Sequence, residues 1–264
     1  MGEADAAWFQ KPAEAYDRFV GRYGAALASA VIARVGLESG WVALDVGCGP
    51  GPLTSALADA LGAERVAAVD LSEPFVRACS ERVPGADVRV ASAESLPFED
   101  GGFDATLSQL VLNFLPDPAA GLREMRRVTR PGGVIAATVW DYGGEMTMLR
   151  AFWDAAKDED PDSAGPFDDY CRPDELEELW QDSGLTGVET NGITVVAEYE
   201  DFEDLWTPFT TGIGPAGAYA SSLSDTDREV LRASYRKRLG SPEGAFELTA
   251  RAWMACGRVP DSGG

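Results

Sequence analysis

Short apolar segments alternate with segments of helical periodicity over the first half of the chain, and this alternation limits the fold more than any other feature. The apolar segments have the lengths of buried strands and cover residues 41–46, 66–69, 88–91, 103–107 and 134–139. Helical spacing follows at 53–61, after Ser72 and at 119–128. Parallel strands need crossover connections, usually helices, which cover both faces of the sheet. The sequence therefore predicts a doubly wound, Rossmann-like α/β domain with a mostly parallel sheet.

The segments on either side of this core depart from the alternation. Apolar residues from Tyr16 to Val31 share one helical face that ends at Gly36, which predicts an N-terminal helix packed over the domain. Towards the C-terminus, 193–199 and 246–254 are strand candidates, and we expect an antiparallel strand at this end of the sheet. Residues 201–240, between them, contain two predicted helices around a Gly-Pro-rich loop at 212–217, and we interpret them as a helical cap insertion over a ligand pocket.

The chain is strongly acidic, with 44 Asp and Glu residues against 22 Lys and Arg residues and a formal net charge of −22. This charge repels a phosphate backbone over most of the surface, so we expect no nucleic-acid partner and interpret the basic run Arg236–Arg238 as an exposed helix face. No apolar run is long enough to span a membrane, and the acidic first residues lack the features of a secretory signal. We therefore expect no membrane partner and a cytoplasmic location.

The four cysteines, Cys48, Cys79, Cys171 and Cys256, are widely spaced, and the sequence contains no histidine. They form no Cys-x-x-Cys pair, and a zinc site would lack its usual partners. The sequence predicts neither a disulfide framework nor a bound metal.

The run Asp45-Val46-Gly47-Cys48-Gly49-Pro50-Gly51 joins the first strand candidate to the next helix. Its three glycines allow a tight turn that brings backbone N–H groups close to a ligand. Asp70, nineteen residues after Gly51, ends the second strand candidate, where a carboxylate can bind ribose hydroxyls. The Gly-x-Gly-x-Gly spacing followed by Pro52 fits a dinucleotide pyrophosphate poorly, and the carboxylate of Asp45 suits a cationic ligand. S-adenosylmethionine, with an ammonium and a sulfonium, is such a ligand.

Four segments carry a wider resemblance. They read DVGCGPG at 45–51, AAVDLS at 67–72, SAESLPFEDGGFDATLS at 92–108 and LNFLPDPAAGLREMRRVTRPGG at 112–133. In this order and spacing they resemble the class I S-adenosylmethionine-dependent methyltransferases, especially the small-molecule group that includes the quinone-biosynthesis enzymes. The resemblance covers roughly residues 15–140 and implies S-adenosylmethionine as cofactor and a small-molecule methyl acceptor. From the pattern of elements we expect one domain over 1–264, with an N-terminal helical segment at 1–37, a cofactor-binding core at 38–140 and the cap at 201–240.

The resemblance assigns roles to individual residues. It implies that the glycine loop holds the methionine and ribose portions of the cofactor, that Asp70 binds the ribose hydroxyls and that Leu71 packs on the adenine. Ala93 and Glu94 match the segment that borders the adenine ring, and Gln109 lies towards the methionine end. The implied cofactor-binding residues are Asp45, Gly47, Cys48, Gly49, Gly51, Asp70, Leu71, Ala93, Glu94 and Gln109. Ser92 departs from the family, which often has Asp or Asn at this position, so we expect a weaker contact to the adenine amino group.

The acceptor side is less determined. Without histidine, removal of a proton would require Asp, Glu, Tyr or water, which favours carboxylates, amines, thiols or acidic enols as acceptors. Aromatic side chains after the strands and in the cap predict an apolar or aromatic acceptor, although each of them is also explained by core packing. The candidate acceptor residues are Asn113, Phe114, Trp140, Tyr142, Trp206 and Tyr219. No catalytic residue is assigned.

Two other functions remain open at this level. One is a fold relative that binds S-adenosylmethionine but acts as a lyase, cyclase or regulatory module. The other is a nicotinamide-dependent oxidoreductase, against which Pro52 counts. The sequence identifies neither the atom that is methylated nor the oligomeric state.

Overall fold

A seven-stranded sheet forms the centre of the protein, seen in a computed structural model that describes residues 13–161, 163 and 171–261. The strands are β1 Ala43–Val46, β2 Val66–Asp70, β3 Asp87–Val90, β4 Phe103–Gln109, β5 Thr129–Trp140, β6 Thr186–Tyr199 and β7 Phe246–Arg258. Their order is β3-β2-β1-β4-β5-β7-β6. Strands β1 to β5 are parallel, whereas β7 is antiparallel to both β5 and β6. The prediction of a doubly wound, mostly parallel sheet with an antiparallel C-terminal strand is confirmed.

Helices cover both faces of this sheet. They are α1 Ala13–Arg18, α2 Gly24–Val35, α3 Pro52–Leu61, α4 Glu73–Arg82, α5 Pro118–Val128, α6 Thr147–Glu159, α7 Pro173–Asp182, α8 Phe202–Trp206, α9 Gly214–Ser222 and α10 Asp225–Arg238. Successive residues of β1 point to opposite sides, because Ala43 belongs to the core under α2, α3 and α6 whereas Leu44 belongs to the core under α5 and α7. Within the described residues, no helix has both the length and the apolar character needed to cross a membrane.

The N-terminal segment is not the single helix that the periodicity predicts. A 3₁₀ helix at Val20–Tyr23 separates α1 from α2, and Phe19 before it lies outside helical backbone geometry, with φ −92° and ψ −117°. The chain approaches itself closely at Gly21, where a Cβ atom would lie 2.8 Å from the carbonyl oxygen of Tyr16. Because of this break, Tyr23 packs in the core whereas Tyr16 lines a cleft above the sheet.

The cap also differs from its prediction. Residues 201–240 contain α8, a 3₁₀ helix at Thr207–Thr211, α9 and α10, rather than two helices around a loop at 212–217. That prediction is wrong because Pro215 lies in the first turn of α9, where proline is favoured rather than disruptive. The cap is packed into the main core, since the ring of Phe209 stacks on Phe152 of α6 with centroids 4.5 Å apart.

Two C-terminal strands are longer than the sequence pattern predicts, and one helix was not predicted. Strands β6 and β7 extend well beyond 193–199 and 246–254, because alternate residues of the edge strand β6 face solvent and carry polar side chains there. Helix α6 was not predicted at all, although its buried face includes Phe152 and Trp153.

An ion pair fixes the loop between β5 and α6 to strand β7. Arg251 contacts the buried carboxylate of Asp141 through Nε at 2.8 Å and Nη2 at 2.6 Å, and it reaches Glu145 through Nη1 at 2.7 Å. Backbone hydrogen bonds from the Asp141 N–H to Arg251 and from the Arg251 N–H to Glu145 run beside these contacts. The loop that follows Trp140 and contains Tyr142 is therefore held from two sides.

We expect Arg251→Met to lower the free energy of unfolding by about 3 kcal/mol, because it leaves the carboxylate of Asp141, which is only 6% exposed, without its counter-charge. The matched control is Arg123→Met, whose pair with Asp117 is more than half exposed, at 62% and 56% for the two side chains, so its loss should cost less than about 1 kcal/mol. Urea denaturation of both variants at neutral pH measures the difference. Equal losses would show that the ion pair between Arg251 and Asp141 contributes no more to the free energy of unfolding than a surface pair does.

Candidate cofactor and acceptor site

The glycine loop between β1 and α3 has a backbone that only glycine accommodates at two positions. Gly47 has φ +75°, and a Cβ atom there would lie 2.4 Å from a methyl carbon of Val111. Gly51 has φ +96°, and its Cβ would lie 2.8 Å from the sulfur of Cys79. The N–H groups of Gly47 and Cys48 donate to the carbonyl of Val69 at 2.7 and 2.9 Å, which attaches the loop to the end of β2. The loop is therefore a rigid turn at the carboxyl edge of the sheet.

Asp70, the last residue of β2, has both carboxylate oxygens in contact with backbone amides. Its Oδ2 accepts a hydrogen bond from the N–H of Gly49 at 2.9 Å, and its Oδ1 accepts one from the N–H of Ser72 at 2.8 Å. Burial raises the pKa of this carboxyl, and the two amides oppose that shift. Each oxygen keeps a further lone pair, so the oriented carboxylate can accept hydrogen bonds from a diol.

Two buried oxygens beside the glycine loop lack partners. Asp45 is fully buried, and its Oδ2 accepts from the Thr54 hydroxyl at 2.6 Å, whereas its Oδ1 has no hydrogen-bond partner among the described residues. Gln109 donates from Nε2 to the Gly24 carbonyl at 3.1 Å, and its Oε1 is likewise without a partner in the described chain. Both residues line the same small cavity beneath the loop. Because buried acceptors without donors are costly, these two oxygens indicate a site for a cationic hydrogen-bond donor.

The first cleft lies above these groups and has a volume of about 830 Å³, including the part open to solvent. It is lined by Tyr16, Gly47, Gly49, Asp70, Leu71, Ser72, Phe75, Ala91, Ala93, Gln109, Leu110, Val111, Phe114 and Leu115. Leu71, in the lining of this cleft, is 60% exposed, so its apolar side chain is available to contact an apolar ligand surface. Predicted cofactor residues from four separate strands and loops therefore meet in one cleft.

Four predicted cofactor residues, Asp45, Cys48, Gly51 and Glu94, lie outside this lining. Asp45 lines the small cavity beneath the loop, whereas Gly51 lines neither space. The carboxylate of Glu94 accepts a hydrogen bond from the N–H of Asp117 at 2.8 Å and so holds the start of α5. Cys48 lines the small cavity beneath the loop, where a hydrogen bond with Cys79 and burial raise the pKa of its thiol. A protonated thiol in this place is a spacer rather than a nucleophile.

A second cleft adjoins the first and shares Tyr16, Leu110 and Phe114 with it. Its other lining residues are Phe19, Val20, Trp140, Tyr142, Leu149, Trp153, Ile213, Gly214, Pro215 and Ala216. Three predicted acceptor residues, Phe114, Trp140 and Tyr142, are among them. The start of α9 forms one wall, so the cap segment borders this cleft.

The other three predicted acceptor residues lie elsewhere. The side chain of Asn113 hydrogen-bonds with that of Tyr142 behind the lining. Trp206 packs in the core beside Phe209, with ring centroids 6.0 Å apart, and Tyr219 packs against Trp153 at 5.5 Å. Trp206 and Tyr219 therefore pack against other aromatic rings and do not form part of the lining of the second cleft.

Sequence reasoning missed Tyr16 and Leu110, which line both clefts, and Phe75 and Val111, which line the first cleft only. Leu110 has φ +66°, an uncommon conformation for a side-chain-bearing residue, directly after β4. Its position at the carboxyl end of a parallel strand was the available signal. Tyr16 carried no such signal, because its place in the cleft depends on the break between α1 and α2.

Comparisons with known proteins agree with this geometry. The methyltransferase domain family matches residues 44–137. The malonyl-[acyl-carrier protein] O-methyltransferase of Pseudescherichia vulneris is 34% identical over 152 residues, which are 58% of this chain and 59% of that protein. The demethylmenaquinone methyltransferase of Geobacillus stearothermophilus is 36% identical over 110 residues, 39% of this chain and 47% of the relative. The chain thus spans less than two thirds of the length of the curated relatives it matches.

A solved structure extends the likeness in fold. The phosphoethanolamine N-methyltransferase 2 of Haemonchus contortus, in complex with S-adenosyl-L-methionine, superposes with a TM-score of 0.55 at 17% identity, covering 89% of this chain and 52% of that one. At this identity the likeness concerns the fold alone.

We expect Asp45 to make the ligand-free protein progressively less stable, relative to a variant without this carboxyl, as the pH rises from about 4 to about 7. Burial raises the pKa of Asp45 from 3.8 to about 7, so the unfolded chain releases this proton before the folded chain does. Asp45→Asn should remove the contribution of this carboxyl to the change of stability with pH. The variant should be at least as stable as the parent protein at pH 7. Thermal unfolding between pH 4 and 8 measures it, with Asp87→Asn as an exposed control. A parallel pH profile for Asp45→Asn would contradict the burial argument.

The sheet order and the glycine loop agree with the methyltransferase domain that the family comparison matches. The loop and the carboxylate of Asp70 lie at the carboxyl edge of β1 and β2, inside the matched segment 44–137. The methyltransferase domain family therefore matches the segment of the chain, residues 44–137, that contains the glycine loop and Asp70.

Proposed function

We propose that this protein is an S-adenosylmethionine-dependent methyltransferase that acts on a small-molecule acceptor by in-line methyl transfer. The observation that carries the proposal is the pair of unpartnered buried oxygens on Asp45 and Gln109 beneath the glycine loop. A bound ammonium group would give both oxygens the donor they lack. The names of the two curated relatives, both methyltransferases, support the same reaction class.

The residues of the first cleft fit the parts of this cofactor. Asp70 would accept hydrogen bonds from the ribose hydroxyls, and Leu71 and Ala93 would contact the adenine. Asp45 and Gln109 would face the ammonium of the methionine portion. When bound, the cofactor supplies a methyl group on a positively charged sulfur, whose thioether is a good leaving group.

The residues of the chain contribute by holding the acceptor in position beside the cofactor site. Leu110, held in a strained conformation, and Phe114 lie where the two clefts meet, so they can keep an acceptor close to the cofactor site. Phe209 in the cap is fully buried and stacks on Phe152 of α6, which supports the cap segment beside the second cleft. Holding two reactants in line is worth about 7 to 11 kcal/mol in favourable systems.

Charge supports a small acceptor over a nucleic acid. The net charge of −22 opposes the approach of a polyanion, and the second cleft has no charged residue in its lining among the described residues. We place the enzyme in the cytoplasm, in keeping with its acidic composition. An oxidoreductase is not favoured, because Pro52 follows the glycines and the free oxygen of Asp45 repels a pyrophosphate.

We expect Asp70→Asn to weaken S-adenosylmethionine binding about 10- to 100-fold, because each charge-assisted hydrogen bond contributes roughly 1.5 to 3 kcal/mol. Isothermal titration calorimetry measures this affinity. Asp87→Asn is the control, because that carboxylate lies at the far end of the neighbouring strand and contacts Arg89. Unchanged affinity in a folded Asp70→Asn protein would remove this residue from the cofactor site.

We expect Ala216→Leu to lower methyl transfer at least about tenfold while leaving the cofactor affinity within about twofold, because extra methyl groups overfill a packed lining. Ala216 is buried in the wall of the second cleft and does not line the first. Ser222→Leu, at the exposed end of the same helix, is the control. Equal losses of cofactor and acceptor function would contradict the role of the cap as an acceptor wall.

A further inference from the structure

The lining of the second cleft combines many aromatic rings with no formal charge. Six of its residues, Tyr16, Phe19, Phe114, Trp140, Tyr142 and Trp153, are aromatic. None of the described residues in the lining is Asp, Glu, Lys or Arg. The described lining therefore offers an acceptor several ring faces but no counter-charge.

Among the described residues of its lining, the cleft also offers no general base. Burial raises the pKa of Tyr16 and of Tyr142, so both hydroxyls remain protonated at neutral pH. The neighbouring carboxylate of Asp141 is occupied by Arg251 at 2.6 Å. The acceptor atom must therefore attack with a lone pair that it already possesses.

We propose that the second cleft binds an apolar amine in its uncharged form and that the enzyme methylates nitrogen. This inference rests on the proposed methyltransferase function and names its acceptor class. An amine releases its ammonium proton to bulk water as it enters the cleft, because an apolar environment favours the uncharged form, and the neutral amine then needs no base before attack. A thiol or a phenol would first have to lose a proton. A carboxylate would enter as an anion with no cationic side chain in the described lining.

The charge balance of the transfer suits this cleft. The nitrogen lone pair forms the new N–CH₃ bond while the electrons of the S–CH₃ bond return to sulfur. One positive charge moves from sulfur to nitrogen, and a primary or secondary amine then releases its surplus proton to water. The negative ring faces around the cleft stabilise the cation produced, since cation–π contacts contribute about 0.5 to 2 kcal/mol each.

The test measures probe binding to the full chain saturated with S-adenosylhomocysteine. The probes are phenethyltrimethylammonium, which resembles a methylated amine product, and 3-phenylpropionate, an anion with the same ring. We expect the ammonium probe to bind at least about tenfold more tightly. Equal or tighter binding of 3-phenylpropionate, or no binding of the ammonium probe at about 10 mM, overturns the amine assignment.

A variant tests whether the aromatic ring faces of the cleft, rather than its apolar character alone, account for binding of the ammonium probe. Phe114→Leu keeps an apolar side chain at the junction of the clefts but removes one ring face, so it should weaken the ammonium probe about fivefold and leave 3-phenylpropionate unchanged. Phe98→Leu, which removes a ring packed on Phe103 away from both clefts, should change neither. Equal weakening of both probes by Phe114→Leu counts against the proposal. Failure of S-adenosylhomocysteine itself to bind would instead refute the proposed function.

Discussion

The hydrogen bonds from the N–H groups of Gly49 and Ser72 to the carboxylate of Asp70 are the interaction on which the site depends. They join the loop after β1 to the end of β2, so one carboxylate both shapes the glycine turn and presents oriented oxygens to a ligand. The first cleft, the small cavity beneath the loop and the junction with the second cleft all lie around this connection. Without it, the carboxylate of Asp70 would have no fixed position relative to the buried oxygens of Asp45 and Gln109.

The parts of this arrangement that could be predicted from sequence are those fixed by local chemistry. Gly47 and Gly51 are required by positive φ angles and by close contacts, and Asp70 by its place at a strand end, so pattern and spacing locate all three. The parallel sheet follows equally directly from the alternation of elements. Roles for Glu94 and Cys48 stay predictions of the resemblance, and the contacts to Asp117 and Cys79 show what these side chains already do.

Features that depend on long-range packing could not be predicted in this way. Tyr16 and Val31 share one helical periodicity, yet the helix is interrupted at Phe19, and Tyr16 lines the clefts. The cap contains rings that look suitable for a pocket, but Trp206 stacks into the core while Ile213 reaches the lining instead. Composition shows that aromatic residues are abundant, and only the fold decides which of them border a cleft.

The measurement that tests the account most directly is calorimetric titration of the full chain with S-adenosylmethionine, beside the same titration with NAD. We expect saturable one-to-one binding of S-adenosylmethionine below about 1 mM and no binding of NAD. Absence of S-adenosylmethionine binding in that range, or preference for NAD, would contradict the assignment of the glycine loop, Asp70 and Asp45 to a cationic adenosyl ligand.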